Sequence, residues 1–446
     1  MRSYSTLSLF SAALALAVVA SVTACSDDDA ANNPGGTDGP QGSSGGTSSS
    51  GGNGDGGETP SEPPIYAVIS TPAATGGAAQ TSYVMLSGSL TGELEPENAV
   101  LELPGRAIAG APNGGKRLYV GTEASGELTR YDLVGDNALQ ESGKINFAVQ
   151  QVTGFVGYSS AFQFIDANKA YWISRDGSIV VWNPEDLAVT GSIPLPGLVR
   201  QDPQNPATTY TTAITGAPLR SGNKLYAFAS WDTREGSTIK VPGAYAVMVV
   251  DTTTDTADVV IDEAGCGYGR DGVLVGDWLY IATEGVGTAV HHLNPANGPA
   301  PCLRRFNVVT KTFDAAYKVD LNALAGGPAG TLAVTESGQA LIHVLDTAVA
   351  DPQIADGTIS NPRFLTIAPV WKTAKLTVGD TPSIQLLDAP LRSGAVLPVS
   401  LSNGLRVTST FDSAPQIVEV TENGFVATER TGAKLVGNTA AIVQVR

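Results

Sequence analysis

The sequence predicts an all-β fold, a seven-bladed β-propeller, and three observations carry that expectation. Short runs rich in Val, Ile, Tyr and Thr recur between Gly, Pro, Asn and Asp, while helical periodicity is hard to find. A strand-like segment returns every 55 residues or so. A second segment, a strand broken by an Asp or Asn turn, returns in phase with the first.

The first segment reads "GKRLYVGTE" at 115–123, "ANKAYWISR" at 167–175, "GNKLYAFAS" at 222–230, "GDWLYIATE" at 276–284 and "GQALIHVLD" at 338–346. Each places a turn residue before an apolar alternation that suits a half-buried strand. Tyr119, Tyr171, Tyr226, Tyr280 and Ile342 share one column, 52, 55, 54 and 62 residues apart. Tyr66 of "PIYAVIS" stands 53 residues before Tyr119. The hexapeptide "APLRSG" occurs at 217–222 and again at 389–394, which puts Pro398 of "AVLPVSL" in the column 56 residues after Ile342. The column then has seven members, although six or eight blades stay open because repeats six and seven are irregular.

The second segment reads "TRYDLVGDNALQ", "VVWNPEDLAVTG", "MVVDTTTDTADV" and "RRFNVVTKTFDA", with Asp132, Asn183, Asp251 and Asn307 at the turn. Asx side chains accept from their own backbone two residues on, as a hairpin there requires. Each repeat is thus a four-stranded antiparallel unit, and its period is that of propeller blades. Stacking such units in a ring covers both apolar faces and removes exposed ends. Repeat one starts at Ile65 without an inner strand. A spare C-terminal run, "GFVATER" at 424–430 or "TAAIVQVR" at 439–446, is expected to complete it.

Residues 1–24 read as an export signal: Arg2, an apolar run over 7–22 too short for a comfortable membrane span, then small residues. "VTAC" at 22–25 resembles the lipobox of bacterial lipoproteins, which implies acylation of Cys25, and Ser26 resembles the outer-membrane sorting pattern of Gram-negative lipoproteins. Several acyl chains give stable anchoring. From Cys25 to residue 64 runs a Gly/Ser/Pro/Asp-rich tether that cannot offset its ordering entropy, with a typical span of roughly 35 Å. The propeller domain takes residues 65–446.

Seven of the 43 acidic residues and one of the 26 basic ones precede residue 65, which leaves the body with a balance of −11. That balance disfavours nucleic acid and anionic lipid headgroups as partners. Cys266 and Cys302 remain once Cys25 is set aside, and in an exported chain they are expected to form a disulfide rather than a zinc site, which needs more soft ligands at closer spacing.

Propeller loops alternate between two faces. One set is tight ("APNGGKR", "IDANKA", "NPEDL"); the other is long, over 148–160, 194–210, 231–243, 262–272 and 283–302. Long loops on a rigid scaffold are where function concentrates. On them lie Arg200, Arg234, Lys240, Arg270 and Arg304, interleaved with Tyr158, Trp231 and Tyr268, and with His291 as a further hydrogen-bonding candidate. Guanidinium groups and aromatic faces around a channel mouth suit a planar, anionic small molecule. His291 and His292 are adjacent, and in extended backbone they would point apart, which argues against a shared metal. His343 falls on a strand and reads as core. "GCGYGRDG" at 265–272 precedes no helix and "DTTTDTAD" at 251–258 lacks the central Gly of a calcium loop, so neither a nucleotide, a metal nor another cofactor is expected.

The lipobox, the polar tether and strands such as "NKAYWISRDGSIVVWNPEDLAVTGSIPLP" resemble the MxcI-like lipoproteins of siderophore systems. The resemblance spans most of residues 65–446 by pattern and brings no iron-ligand motif. It implies an outer-membrane-tethered, monomeric binding protein for a ferric siderophore, with a TonB-dependent transporter as partner. Two other classes stay open: a propeller enzyme (lyase, lactonase or quinone-dependent dehydrogenase) and a protein-interaction scaffold.

Overall fold

A computed structural model describes residues 62–446 apart from 73–79, 113, 156–158, 336, 403, 412 and 413. The leader, Cys25 and the tether up to residue 61 lie outside the described residues. Seven four-stranded antiparallel blades stand around one axis. From the axis outward, blade two runs Ala107–Gly110, Arg117–Thr122, Glu127–Val134 and Ala138–Asn146, and blades three to seven repeat this order.

Blade one is the exception that closes the ring. Its inner strand is Asn438–Gln444, which pairs antiparallel with Tyr66–Thr71, ahead of Thr81–Ser87 and Leu101–Pro104. Of the two C-terminal candidates, "TAAIVQVR" therefore makes the clasp, and Gly424–Val426 is instead the outermost strand of blade seven. A second latch joins the same blades: Glu93–Leu94 pairs parallel with Lys434–Leu435. Leu90, Leu94, Ala433 and Leu435 fill the wedge between blades one and seven.

The repeat column holds in six blades. Tyr66, Tyr119, Tyr171, Tyr226, Tyr280 and Ile342 all sit on second strands and are buried between neighbouring blades. Pro398 does not belong with them. "AVLPVSL" leads into the inner strand Val399–Ser400, and the second strand of blade seven is Arg406–Ser409. The two "APLRSG" copies misled the alignment because they are not equivalent. The first ends the inner strand Thr211–Ser221, whereas the second crosses from blade six to blade seven and bridges Trp371 through Arg392.

The Asx turns form at Asn183, Asp251 and Asn307, each accepting a backbone N–H two residues on at 2.8–3.0 Å. Asp132 lies instead 3.5 Å from Arg117. These turns also couple blades. The Tyr119 hydroxyl donates to the Pro184 carbonyl at 2.8 Å, Tyr171 and Lys169 reach Asp255, and Arg305 reaches Asp380, each on the next blade's outer turn.

Among the described residues no helix is long and apolar enough to cross a membrane. Among the described residues four short α-helices occur: α1 (Gly285–Leu293), α2 (Leu321–Ala325), α3 (Thr347–Ala355) and α4 (Pro362–Ile367). All but α2 lie between second and third strands, on the face the sequence marked for long loops.

Candidate functional site

The long-loop face is built from strands that outrun their sheets and from the helices inserted beside them. The second strand of blade four runs past its third strand to Glu235, where it folds back on Thr238–Lys240, and carries Trp231, Asp232 and Arg234. Asp232 is fully buried. Arg234 grips it in a bidentate pair, Nε to Oδ1 at 2.8 Å and Nη2 to Oδ2 at 3.0 Å, and the Tyr268 hydroxyl donates to Oδ2 at 2.6 Å. Burial pushes the Asp232 carboxyl up, to about 6, against the Tyr268 hydrogen bond and the charges of Arg363 and Arg175. Burial also drives the Tyr268 phenol well above its usual range.

Tyr268 holds a left-handed backbone (φ +43°) just before the inner strand of blade five, Gly269–Val275. That strand bulges between Gly269 and Gly272, and the bulge aims Arg270 and Asp271. Arg270 Nη1 lies 3.2 Å from Glu284 Oε1, and its Nε lies 3.6 Å from Asp271 Oδ2. Asp271 Oδ1 accepts from Ala217 N at 3.1 Å, which ties the cluster to blade four. Both carboxyls are raised by burial, with Arg270 opposing. Across from Asp271, burial lowers the Arg406 guanidinium of blade seven.

Glu284 also starts α1, its Oε2 accepting from Val286 N at 2.6 Å. Next to it Gly285 N donates to Thr331 Oγ1 at 2.7 Å. Thr331 keeps φ +58° on the bulged inner strand of blade six, a costly conformation for a β-branched residue and of the kind that collects at functional sites. Gly330 beside it has no room for a side chain, since a Cβ would fall 2.2 Å from Thr288 Oγ1 of α1.

The Cys266–Cys302 disulfide, with Cα atoms 5.7 Å apart, joins the two ends of this region. On the same face a cleft of about 230 Å³ opens between blades six and seven, lined in part by Arg392, Ser393, Thr408 and Phe425. Arg234 and Arg270, with Arg175 and Arg363 acting on Asp232, thus gather at a mouth that also contains Asp232, Asp271 and Glu284, while Arg406, at the other end of its strand, donates to the Val334 carbonyl of blade six. Among the described residues no group of three or more His, Cys, Asp and Glu gathers as a metal-ligand set.

Of the residues singled out by sequence, the structure brings Arg234, Tyr268 and Arg270 together. Trp231 is fully buried, its indole N–H donating to the Leu198 carbonyl at 2.8 Å, with the Arg200 guanidinium 4.9 Å above its ring. Arg200 pairs with Glu263 at 2.8 Å, and Lys240 faces Glu235 at 3.6 Å on the exposed hairpin tip. Arg304 is buried against Asp262 at 2.7 Å in the body of the sheet. His291 and His292 are helical rather than extended: His291 Nδ1 donates to the Gly298 carbonyl at 3.1 Å, and His292 Nε2 meets Asp351 at 2.8 Å. Tyr158 lies outside the described residues.

Sequence reasoning missed Asp232, Asp271, Glu284, Thr331, Arg175 and Arg363. A signal for three of them was present. The last residues of the aligned segments, Glu123, Arg175, Ser230, Glu284 and Asp346, are all polar where an apolar alternation ends at the long-loop face. For Arg363 the signal is "NP" at 361–362, since Asn361 caps α4 with Pro362 in its first turn.

No family model matches the sequence, and no curated protein matches it. Solved structures of similar fold include a putative 6-phosphogluconolactonase from Bacteroides fragilis, 13% identical over 87% of this chain and 100% of that one, with a TM-score of 0.47. A periplasmic gluconolactonase of Pseudomonas aeruginosa is 13% identical over 86% of this chain and 100% of that one (TM-score 0.45). BamB from Moraxella catarrhalis is 10% identical over 82% and 83% of the two chains (TM-score 0.39). Likeness at this level carries no argument about chemistry.

Proposed function

We propose that the propeller binds an anionic small molecule at the mouth of its long-loop face. The observation that carries this reading is the gathering of Arg234, Arg270, Arg175 and Arg363 around Asp232 and Glu284, in a body whose overall balance is acidic. Asp232 and Glu284 each hold an arginine in place, and a planar donor fork fixed in this way suits oxyanion recognition. A ferric catecholate siderophore is the ligand class that fits, as the resemblance to MxcI-like lipoproteins implies: it is anionic, aromatic-rimmed and carries its own iron. The chain is then exported, acylated at Cys25, held at the outer membrane and served by a TonB-dependent transporter. Residues 62–65 join the body beside Lys116 and Arg446, at the tight-turn face. A body tethered there presents its arginine mouth away from the lipid.

Titrating the purified body with a ferric catecholate while following Trp fluorescence tests the reading. Saturable quenching at micromolar concentrations is expected, weakened about tenfold or more by Arg234→Gln. No quenching in that range contradicts it. A second reading, as a hydrolytic enzyme, has one observation in its favour, the Asp232 carboxyl at about 6 beside the Tyr268 hydroxyl. Lactone turnover with an inflection near pH 6 that Asp232→Asn abolishes would favour it.

A further inference from the structure

The cleft between blades six and seven stands apart from the arginine mouth, since none of Arg234, Tyr268, Arg270 or Glu284 lines it. It lies where the connection that leaves blade six meets the loop after the second strand of blade seven. Gly394 N and Ala395 N of that connection donate to the Thr366 carbonyl of α4 at 2.7 and 3.2 Å, which fixes its course. The cleft walls are accessible. Pro369 and Pro390 are exposed, and Leu391 and Phe411 are half-buried. Ile367, which ends α4, adds a further exposed apolar side chain to the rim.

Two polar groups on these walls lack partners. Gln416 gives its backbone N–H to Thr410 Oγ1 at 3.0 Å, yet its side-chain amide makes no hydrogen bond among the described residues, nor does the Ser409 hydroxyl. Size and composition together define the occupant. About 230 Å³ falls below the roughly 300 Å³ at which small-molecule sites begin, and suits a single aromatic side chain. A hydroxyl or indole N–H at the tip of that ring would satisfy Gln416. Arg392, also on the wall, favours an aromatic face over an aliphatic chain. Exposed apolar residues around one such pocket are the pattern of an interface anchor. This chain does not supply the ring. Residues 25–61 contain no aromatic residue, and every Tyr and Trp among the described residues is buried or half-buried, so neither the tether nor a second copy presents one.

We infer that this cleft receives one tyrosine or tryptophan side chain of a partner protein, its ring against Pro390, Leu391 and Phe411 and its polar tip on Gln416. The inference is independent of the function proposed above.

Saturation-transfer NMR on the folded protein tests it, with N-acetyltyrosinamide, N-acetylphenylalaninamide and the capped pentapeptide Gly-Gly-Tyr-Gly-Gly as probes. Saturable binding of the tyrosine amide is expected, with the phenylalanine amide weaker by about fivefold, the scale of one neutral hydrogen bond. The pentapeptide should bind at least as tightly as the single residue, because a partner presents its side chain from a continuous chain. Gln416→Leu should bring the two amides level, Leu391→Ala should weaken both, and Arg234→Gln should change neither. No saturable binding, equal affinity for the two amides in the unaltered protein, exclusion of the pentapeptide, or a Gln416→Leu variant that keeps the preference overturns the inference. Gln416 and Leu391 are half-buried and lie outside the strands, so both variants should melt like wild type.

Discussion

His343 shows what a single side chain costs inside a blade. It is fully buried, stacked 5.2 Å from the Phe425 ring, and neither ring nitrogen has a hydrogen-bond partner among the described residues. Burial holds its pKa down at about 3. The folded value lies below the unfolded one, so protonation favours the unfolded chain. Stability is therefore complete above about pH 6.5 and falls toward pH 3, by up to about 1.4 kcal/mol per pH unit. His343→Phe keeps the stack and should remove this slope. Denaturant midpoints at pH 7 and pH 5 should differ less in the variant by the equivalent of about 2 kcal/mol. An equal acid shift in both proteins would show that His343 is compensated. At the mouth, Arg363→Gln should weaken anionic-ligand binding without lowering the melting temperature, because the half-buried Arg363 sits on an inserted helix outside the blade core.

At the scale of elements, the connection through α1 is the most constrained. The Cys266–Cys302 bridge ties its far end to the connection that precedes Gly269–Val275 and closes a loop of 36 residues. By chain entropy such a bridge contributes about 3 to 4 kcal/mol. The Cys266→Ala/Cys302→Ala double variant should lose most of that in guanidinium denaturation. Anionic-ligand affinity should fall with it, since Glu284 and Tyr268 border the released segment; an unchanged midpoint would contradict this role. The pairing of these cysteines was legible from their number and loop phase. Helix α1 was not: Gly285 and Gly287 argue against a helix, and both are tolerated because Thr331, Thr366 and Tyr268 pack where their side chains would stand. His291 and His292 were misread for the same reason, since the wrong backbone sends neighbours to opposite sides.

For the molecule as a whole, sevenfold closure was readable because one buried Tyr column and one Asx turn recur in phase, and each does the same physical work in successive blades. Blade seven escaped because its strands are short and a chance hexapeptide mimicked the repeat. The site was only half readable. Basic and aromatic residues on loops are visible in a sequence, whereas the carboxyls that fix them, Asp232 and Asp271 on two strands and Glu284 at the start of α1, meet only when the ring closes. That closure rests on the last strand. Deleting residues 438–446 exposes the edge of Tyr66–Thr71 and should shift the size-exclusion profile toward larger, associating species. A truncated chain that elutes and melts like wild type would contradict it. If the proposed site binds an anion through its guanidinium groups, ligand affinity should also fall as salt rises.

Hydrogen exchange read by mass spectrometry, with and without a saturating ferric catecholate, tests the central claim most directly. The expected result is slowed exchange in peptides covering 231–235, 266–271 and 284–293, with the tight-turn face unchanged. Protection confined to other segments, or none at saturation, would contradict an anion-binding mouth on the long-loop face.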